Sequence, residues 1–166
     1  MSDSQTIPVQ VFIDGMLSTL KELFEEVPSP SMMLDRGDAW FQTLDGISAE
    51  EASIPAASGI SNIAAEVNHA AFYIDVTLEY IRGGQPSADW DGSWKVGTVD
   101  AAEWDALKAK LRSSYDELRE IAANPAGWTM DGAVMGGIAT VGHCAYHLGE
   151  VRRTLGVIRG GGGVRA

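Results

Sequence analysis

Apolar residues return every three or four positions in four long stretches of this chain, the period of a helix that buries one face. The first runs from about Val9 to Val27, with Ile13, Leu17, Leu20, Phe24 and Val27 as its stripe. Thr6 and Pro8 mark its start, and Pro28 with Pro30 its stop, because proline has no amide hydrogen to continue a helix. The second is expected over Gly59 to Arg82, ending at Gly83-Gly84. Ile60, Ile63, Val67, Ala71, Ile74, Leu78 and Ile81 line one side of it, while Ala65, His69, Phe72, Tyr73, Val76 and Tyr80 fall roughly opposite. A helix apolar on two faces packs on both, or packs on one and lines a cavity or subunit interface with the other. The third opens near Asp100, where Asp100 and Glu103 have the spacing of a capping box. It carries Trp104, Leu107, Leu111, Tyr115, Leu118 and Ile121 to a stop at Asn124-Pro125 and Gly127. The fourth spans about Gly132 to Ile158, with Val141, Cys144, Leu148, Val151 and Leu155 as its main stripe.

Between the first two stretches, short helical turns are expected at Ala39–Leu44 and Ser48–Ser53, the latter opened by a capping box of Ser48 and Glu51. The loop from Gly84 to Val99 carries Trp90 and Trp94 among Asp, Gly and Ser. No internal repeat and no strand-forming alternation interrupts the helical pattern. The expectation is an all-α domain over residues 1–158, a four-helix bundle with one long crossover connection, followed by a Gly-rich flexible tail over 159–166.

A length of 166 residues suits one domain with a sizeable core. The formal net charge of −11 argues against a nucleic-acid binder, which needs clustered Lys and Arg, and against docking on an anionic membrane surface. Cys144 is the single cysteine, so an intramolecular disulfide and a thiolate zinc cluster are excluded, and it reads as a small core residue. The polar amino terminus lacks the pattern of a signal peptide, and no apolar run approaches the ~20 residues of a membrane span. A cytoplasmic protein is the expectation.

The chemistry lies in three histidines, the chain's full complement. His143 and His147 form an H-x-x-x-H pair on the fourth helix, and residues four apart share a helix face. His69 sits on the aromatic face of the second helix. Three imidazoles on one divalent ion leave coordination positions open, as a reactive metal requires. Neutral imidazoles suit zinc, nickel, copper or iron. Glu150, one turn beyond His147, offers a carboxylate to orient a ligand imidazole, with a solvated pair to Arg153 as the alternative. Glu66 and His69 make one Glu-x-x-His unit, but a carboxylate-bridged di-iron bundle needs a second, and neither Thr140 nor Cys144 supplies it. Trp40, Phe41, Trp90 and Trp94 either wall a substrate pocket or cap the core. No Gly-rich phosphate loop or Ser–His–Asp arrangement has supporting context.

Two segments resemble the DinB/YfiT-like superfamily of metal-binding four-helix bundles: Ser61-Asn-Ile-Ala-Ala-Glu-Val-Asn-His69 and Gly142-His-Cys-Ala-Tyr-His-Leu-Gly-Glu150. Ser48-Ala-Glu-Glu-Ala-Ser-Ile-Pro55 is similar to the turn that precedes the second long helix in that superfamily. The resemblance implies a three-histidine divalent metal site of His69, His143 and His147, holding zinc or nickel, in a bundle that is often dimeric. It also implies kinship with mycothiol- or bacillithiol-dependent S-transferases and a mycothiol-dependent maleylpyruvate isomerase. The expected function is therefore a metal-dependent enzyme that activates a low-molecular-weight thiol against an electrophilic small-molecule substrate. Tyr73 and Trp94 are expected as walls of the cofactor pocket, and Glu150 as a catalytic-site carboxylate. A hydrolase using metal-activated water, and a non-catalytic or stress-related metal-binding bundle, are the alternatives.

Overall fold

The computed structural model describes residues 6–160, and in it the four apolar stretches are four long helices: α1 (Val9–Phe24), α4 (Ile63–Ile81), α6 (Ala101–Ala122) and α7 (Ala133–Ile158). Three short helices, α2 (Trp40–Asp45), α3 (Ala49–Ser53) and α5 (Trp90–Ser93), and a 3-10 turn at Pro125–Trp128 occupy the connections. No β-strand forms among the described residues, apart from an isolated bridge between Pro55 and Asn62. The fold is all-α, as the periodicity implies. α4 packs against α6 and α7, and α1 closes against the same two helices, so the long helices surround a common core. Leu20, Leu23, Phe24, Ile74, Leu111, Tyr115, Leu148 and Val151 are fully buried there. Each apolar side chain so enclosed contributes about 1.5–3 kcal/mol. Phe24 and Tyr115 stack at 4.6 Å, joining α1 to α6 at the centre.

Helix ends differ from the expected ones where local chemistry overrides periodicity. α1 stops at Phe24, short of Val27; the amides of Glu25 and Glu26 both turn back to Lys21 O. Two acids at a helix C-terminus oppose its dipole, and Pro28 disfavours helical geometry in the residue before it. α4 begins at Ile63 rather than Gly59, because Asn62 is an extended N-cap whose side chain accepts from the Ala65 amide at 2.8 Å. Ile60 therefore lies outside the helix and is 40% exposed instead of joining the buried stripe. Both expected capping boxes are present, at Ser48/Glu51 and Asp100/Glu103. Arg159, counted with the Gly-rich tail, grips Glu51 at 2.7 Å and also reaches the carbonyl of Gly46. Residues 161–166 of that tail lie outside the described residues.

Buried polar contacts then set the level at which the elements meet. The indole N–H of Trp40 donates to Cys144 O on α7 at 3.1 Å, and that of Trp104 donates to Ile47 O at 2.8 Å. Asn62 donates to Gly97 O at 2.9 Å, tying the start of α4 to the segment that follows α5. The crossover is held by Glu22, whose buried carboxylate accepts the amides of Met32, Met33 and Leu34 at 3.1, 2.6 and 2.8 Å. Burial works to raise this carboxyl's pKa, but the three amides outweigh it and hold it below the ordinary value. A carboxylate depressed in the folded state stabilises the protein above the unfolded pKa, and that contribution is lost as the pH falls through the folded one. Glu22→Gln is expected to lower the unfolding free energy by about 2 kcal/mol at neutral pH. The gap to wild type should close as the pH falls below ~4 in urea titrations. An equal gap at neutral and acid pH would contradict this account of the crossover.

Candidate metal centre

His69 on α4 and His143 and His147 on α7 meet in the groove between those helices. Their ring centroids stand 5.2 Å (His69–His143), 4.9 Å (His69–His147) and 4.4 Å (His143–His147) apart. One nitrogen from each lies within 4.8 Å of the other two. The helices run antiparallel here, since Glu66 touches His147 while Tyr73, two turns on, stacks against His143. Glu66, His69 and Tyr73 fall on one face of α4 by helical spacing, so a single strip of that helix confronts the H-x-x-x-H pair.

Counting protons shows which nitrogens face inward. Ser93 Oγ donates its one hydrogen to Trp90 O at 2.6 Å, so at His69 Nδ1, 2.7 Å away, it can only accept. His69 therefore carries its proton on Nδ1 and leaves Nε2 with a free lone pair. The Glu66 carboxylate can likewise only accept from His147 Nδ1, at 2.7 Å, which frees His147 Nε2. Ser61 Oγ donates to the other oxygen of Glu66 and fixes that carboxylate. His143 Nε2 is buried and has no hydrogen-bond partner. An orphaned buried imidazole nitrogen costs free energy unless something supplies what it lacks. Three imidazoles with a nitrogen each within 4.8 Å of the others, one of those rings carrying an unpartnered buried Nε2, form a donor set that fits a divalent ion.

A model of the DinB superfamily matches residues 35–154, a span that includes all three histidines and Glu66. The chain belongs to the DinB superfamily. No curated protein and no solved structure matches it.

In this DinB-superfamily chain the remaining candidates separate clearly. Tyr73 lies flat on His143 at 3.7 Å and Trp94 flat on His69 at 3.9 Å, so both aromatic residues singled out from the sequence abut the centre. Trp90 stands farther off, edge-on to Phe72 at 5.3 Å, whereas Trp40 and Phe41 belong to the core. Glu150 does not reach the imidazoles. It pairs with Arg153, the alternative that its spacing also allowed. Helical side chains lean toward the N-terminus, so His147 points back over the turn of His143 and away from Glu150. The carboxylate that orients an imidazole is Glu66, three residues before His69. Its signal in the sequence was that spacing, read only as half of a di-iron motif. Ser93 carries no signal, because a serine 24 residues from His69 meets it only through the fold. Cys144 is fully enclosed, and burial pushes its thiol up to about 12, as suits a core residue.

Burial pulls His69 down to about 4 and His143 likewise to about 4; the neighbouring His147 adds to both shifts, and Glu66 opposes them in part. Both rings are thus neutral at physiological pH and can act as ligands. For Glu66, burial raises the pKa, but the hydrogen bonds from His147 and Ser61 outweigh it and leave the carboxyl below its ordinary range. In the metal-free protein, imidazole NMR signals of His69 and His143 are expected to titrate near pH 4. Stability should fall as the pH drops from ~6.5 toward that value, because the unfolded chain then binds the protons that the folded one refuses. Midpoints near the ordinary histidine value for both residues would show that the centre is not closed as described.

Proposed function

We propose that this DinB-superfamily protein is a metal-dependent enzyme in which His69, His143 and His147 hold a divalent transition metal of the zinc or nickel type. The centre would activate a low-molecular-weight thiol for S-transfer or isomerisation. One observation carries the reading: the buried, unpartnered Nε2 of His143 belongs to a cluster in which one nitrogen from each of the three imidazoles lies within 4.8 Å of the other two. When bound, such an ion supplies Lewis acidity, which lowers the pKa of a thiol or water at the open positions. Glu66 keeps the His147 proton on Nδ1 and strengthens the ring as a donor, and Ser93 does the same for His69. Trp94 and Tyr73 turn flat apolar surfaces toward the rings. They serve in this proposal as walls for the thiol.

The centre holds what activation of a thiol needs. A hydrolase is aided by a general base within hydrogen-bond reach of its water. Glu66 is already held by Ser61 and His147, and no carboxylate joins the histidine cluster among the described residues. A thiolate, formed by loss of its proton at the metal, needs no such base for its attack. No described helix is long and apolar enough to cross a membrane.

Metal analysis of dialysed protein should find one zinc or nickel ion per chain. Glu66→Gln is expected to weaken the affinity ~10- to 100-fold, and His143→Ala to abolish stoichiometric retention while helicity by circular dichroism is unchanged. Full retention in His143→Ala would overturn the assignment. In the loaded enzyme, turnover of an aryl halide should depend on added thiol and disappear in His69→Ala. Thiol-independent ester hydrolysis that requires the metal would favour the hydrolase instead.

A further inference from the structure

The groove that holds the three histidines does not end at them. Along α4 and α7, Thr77 and Thr140 follow Tyr73 and His143 at the next turn, and beyond them opens a cavity of about 380 Å³. That lies within the ~300–1,000 Å³ range of small-molecule pockets. Its walls are chiefly apolar, with Ile81, Leu118, Ile121, Trp128 and Met135 among them. No lysine or arginine lines it, and its one carboxylate is Asp131, so nothing there would neutralise an anion. The hydroxyl of Thr140 is satisfied by Gly136 O at 2.9 Å, so it makes no demand on a ligand.

Two glycines of α7 shape this space. A Cβ at Gly137 would come within 2.8 Å of the Trp128 ring, so the absence of a side chain lets that indole stand against the helix as a wall. Trp128 is fixed by its N–H to Ala122 O at 2.8 Å and by an edge contact with Phe12 at 4.7 Å. At Gly136, which also lines the cavity, a Cβ would meet nothing within 4 Å. Gly136 stands in the first turn of α7, where alanine would favour the helix more, so helix preference does not account for the open volume here. Tyr73 joins the two regions: it stacks on His143 and also lines the cavity.

We propose that this cavity receives the uncharged apolar part of the substrate, an alkyl or aryl group, while the substrate's reactive end extends past Tyr73 to the three-histidine centre. The second half rests on the metal-centre reading; the apolar site rests on its own lining. The probes are n-alkyl hydroxamates from butyl to decyl, whose headgroup binds zinc, measured by calorimetry against metal-free and zinc-loaded protein. Affinity is expected to rise ~4-fold per methylene until the cavity is full, in both forms, with tighter binding throughout when zinc is present. In Gly136→Leu the dependence on chain length should vanish while zinc content is unchanged. Gly136→Ala, which favours the helix, should shorten the chain length at which affinity levels off. A flat series in wild type, or an equal slope in Gly136→Leu, overturns the cavity's role whether or not zinc binds. A slope that zinc does not offset, in protein shown to hold zinc, overturns the link to the centre. Failure of wild type to hold zinc, with the slope intact in metal-free protein, overturns the metal reading and leaves the apolar site standing.

Discussion

When two helices press imidazoles together out of water, each ring nitrogen left without a partner costs free energy. The fold meets this cost at the outer nitrogens of two rings and leaves it at the inner ones. Glu66 takes the outer proton of His147, Ser93 takes that of His69, and one nitrogen from each of the three imidazoles lies within 4.8 Å of the other two. The antiparallel register of α4 and α7 carries Ala70, Ile74 and Leu148 into the core and sets Tyr73 on His143. Shifting either helix by one residue would rotate the imidazoles ~100° off the shared face and break the core stripe with them. Core packing and the geometry of the centre are consequences of one helix pairing. The tie from Trp40 to Cys144 O holds α7 at that level from the far side.

The features legible in the sequence were those with a local cause. Capping boxes involve residues three apart, and both formed as read. The H-x-x-x-H pair and the two-faced character of α4 follow from helical period, which tertiary packing did not alter. What could not be read depended on partners distant in sequence. Glu66 and Glu150 each stand three residues from a histidine, yet only Glu66 orients an imidazole, because a facing helix and the N-terminal lean of His147 decide the matter. Periodicity continues back through Ile60 and so hides the late start of α4, which the Asn62 N-cap sets at Ile63. Ser93 ends α5, a single turn placed by Asn68, which donates to Ser93 O, and by Asn62, which donates to Gly97 O.

The centre also shows how a strongly acidic chain presents neutral, electron-rich nitrogens. Burial, rather than a fixed charge, keeps His69 and His143 unprotonated, and the nearby Glu66 works against it only in part. The carboxylate is placed behind the rings, where it holds a proton in position instead of competing for the inner face. Trp94 and Tyr73 cover the flat faces of His69 and His143 without adding charge.

X-ray absorption on zinc-loaded protein, recorded with and without an added small thiol, tests this account most directly. The prediction is three imidazole nitrogens at ~2.0–2.1 Å, with a sulfur appearing at ~2.3 Å once thiol is present. Fewer than three imidazoles, or a metal shell that takes no sulfur at saturating thiol, would contradict it.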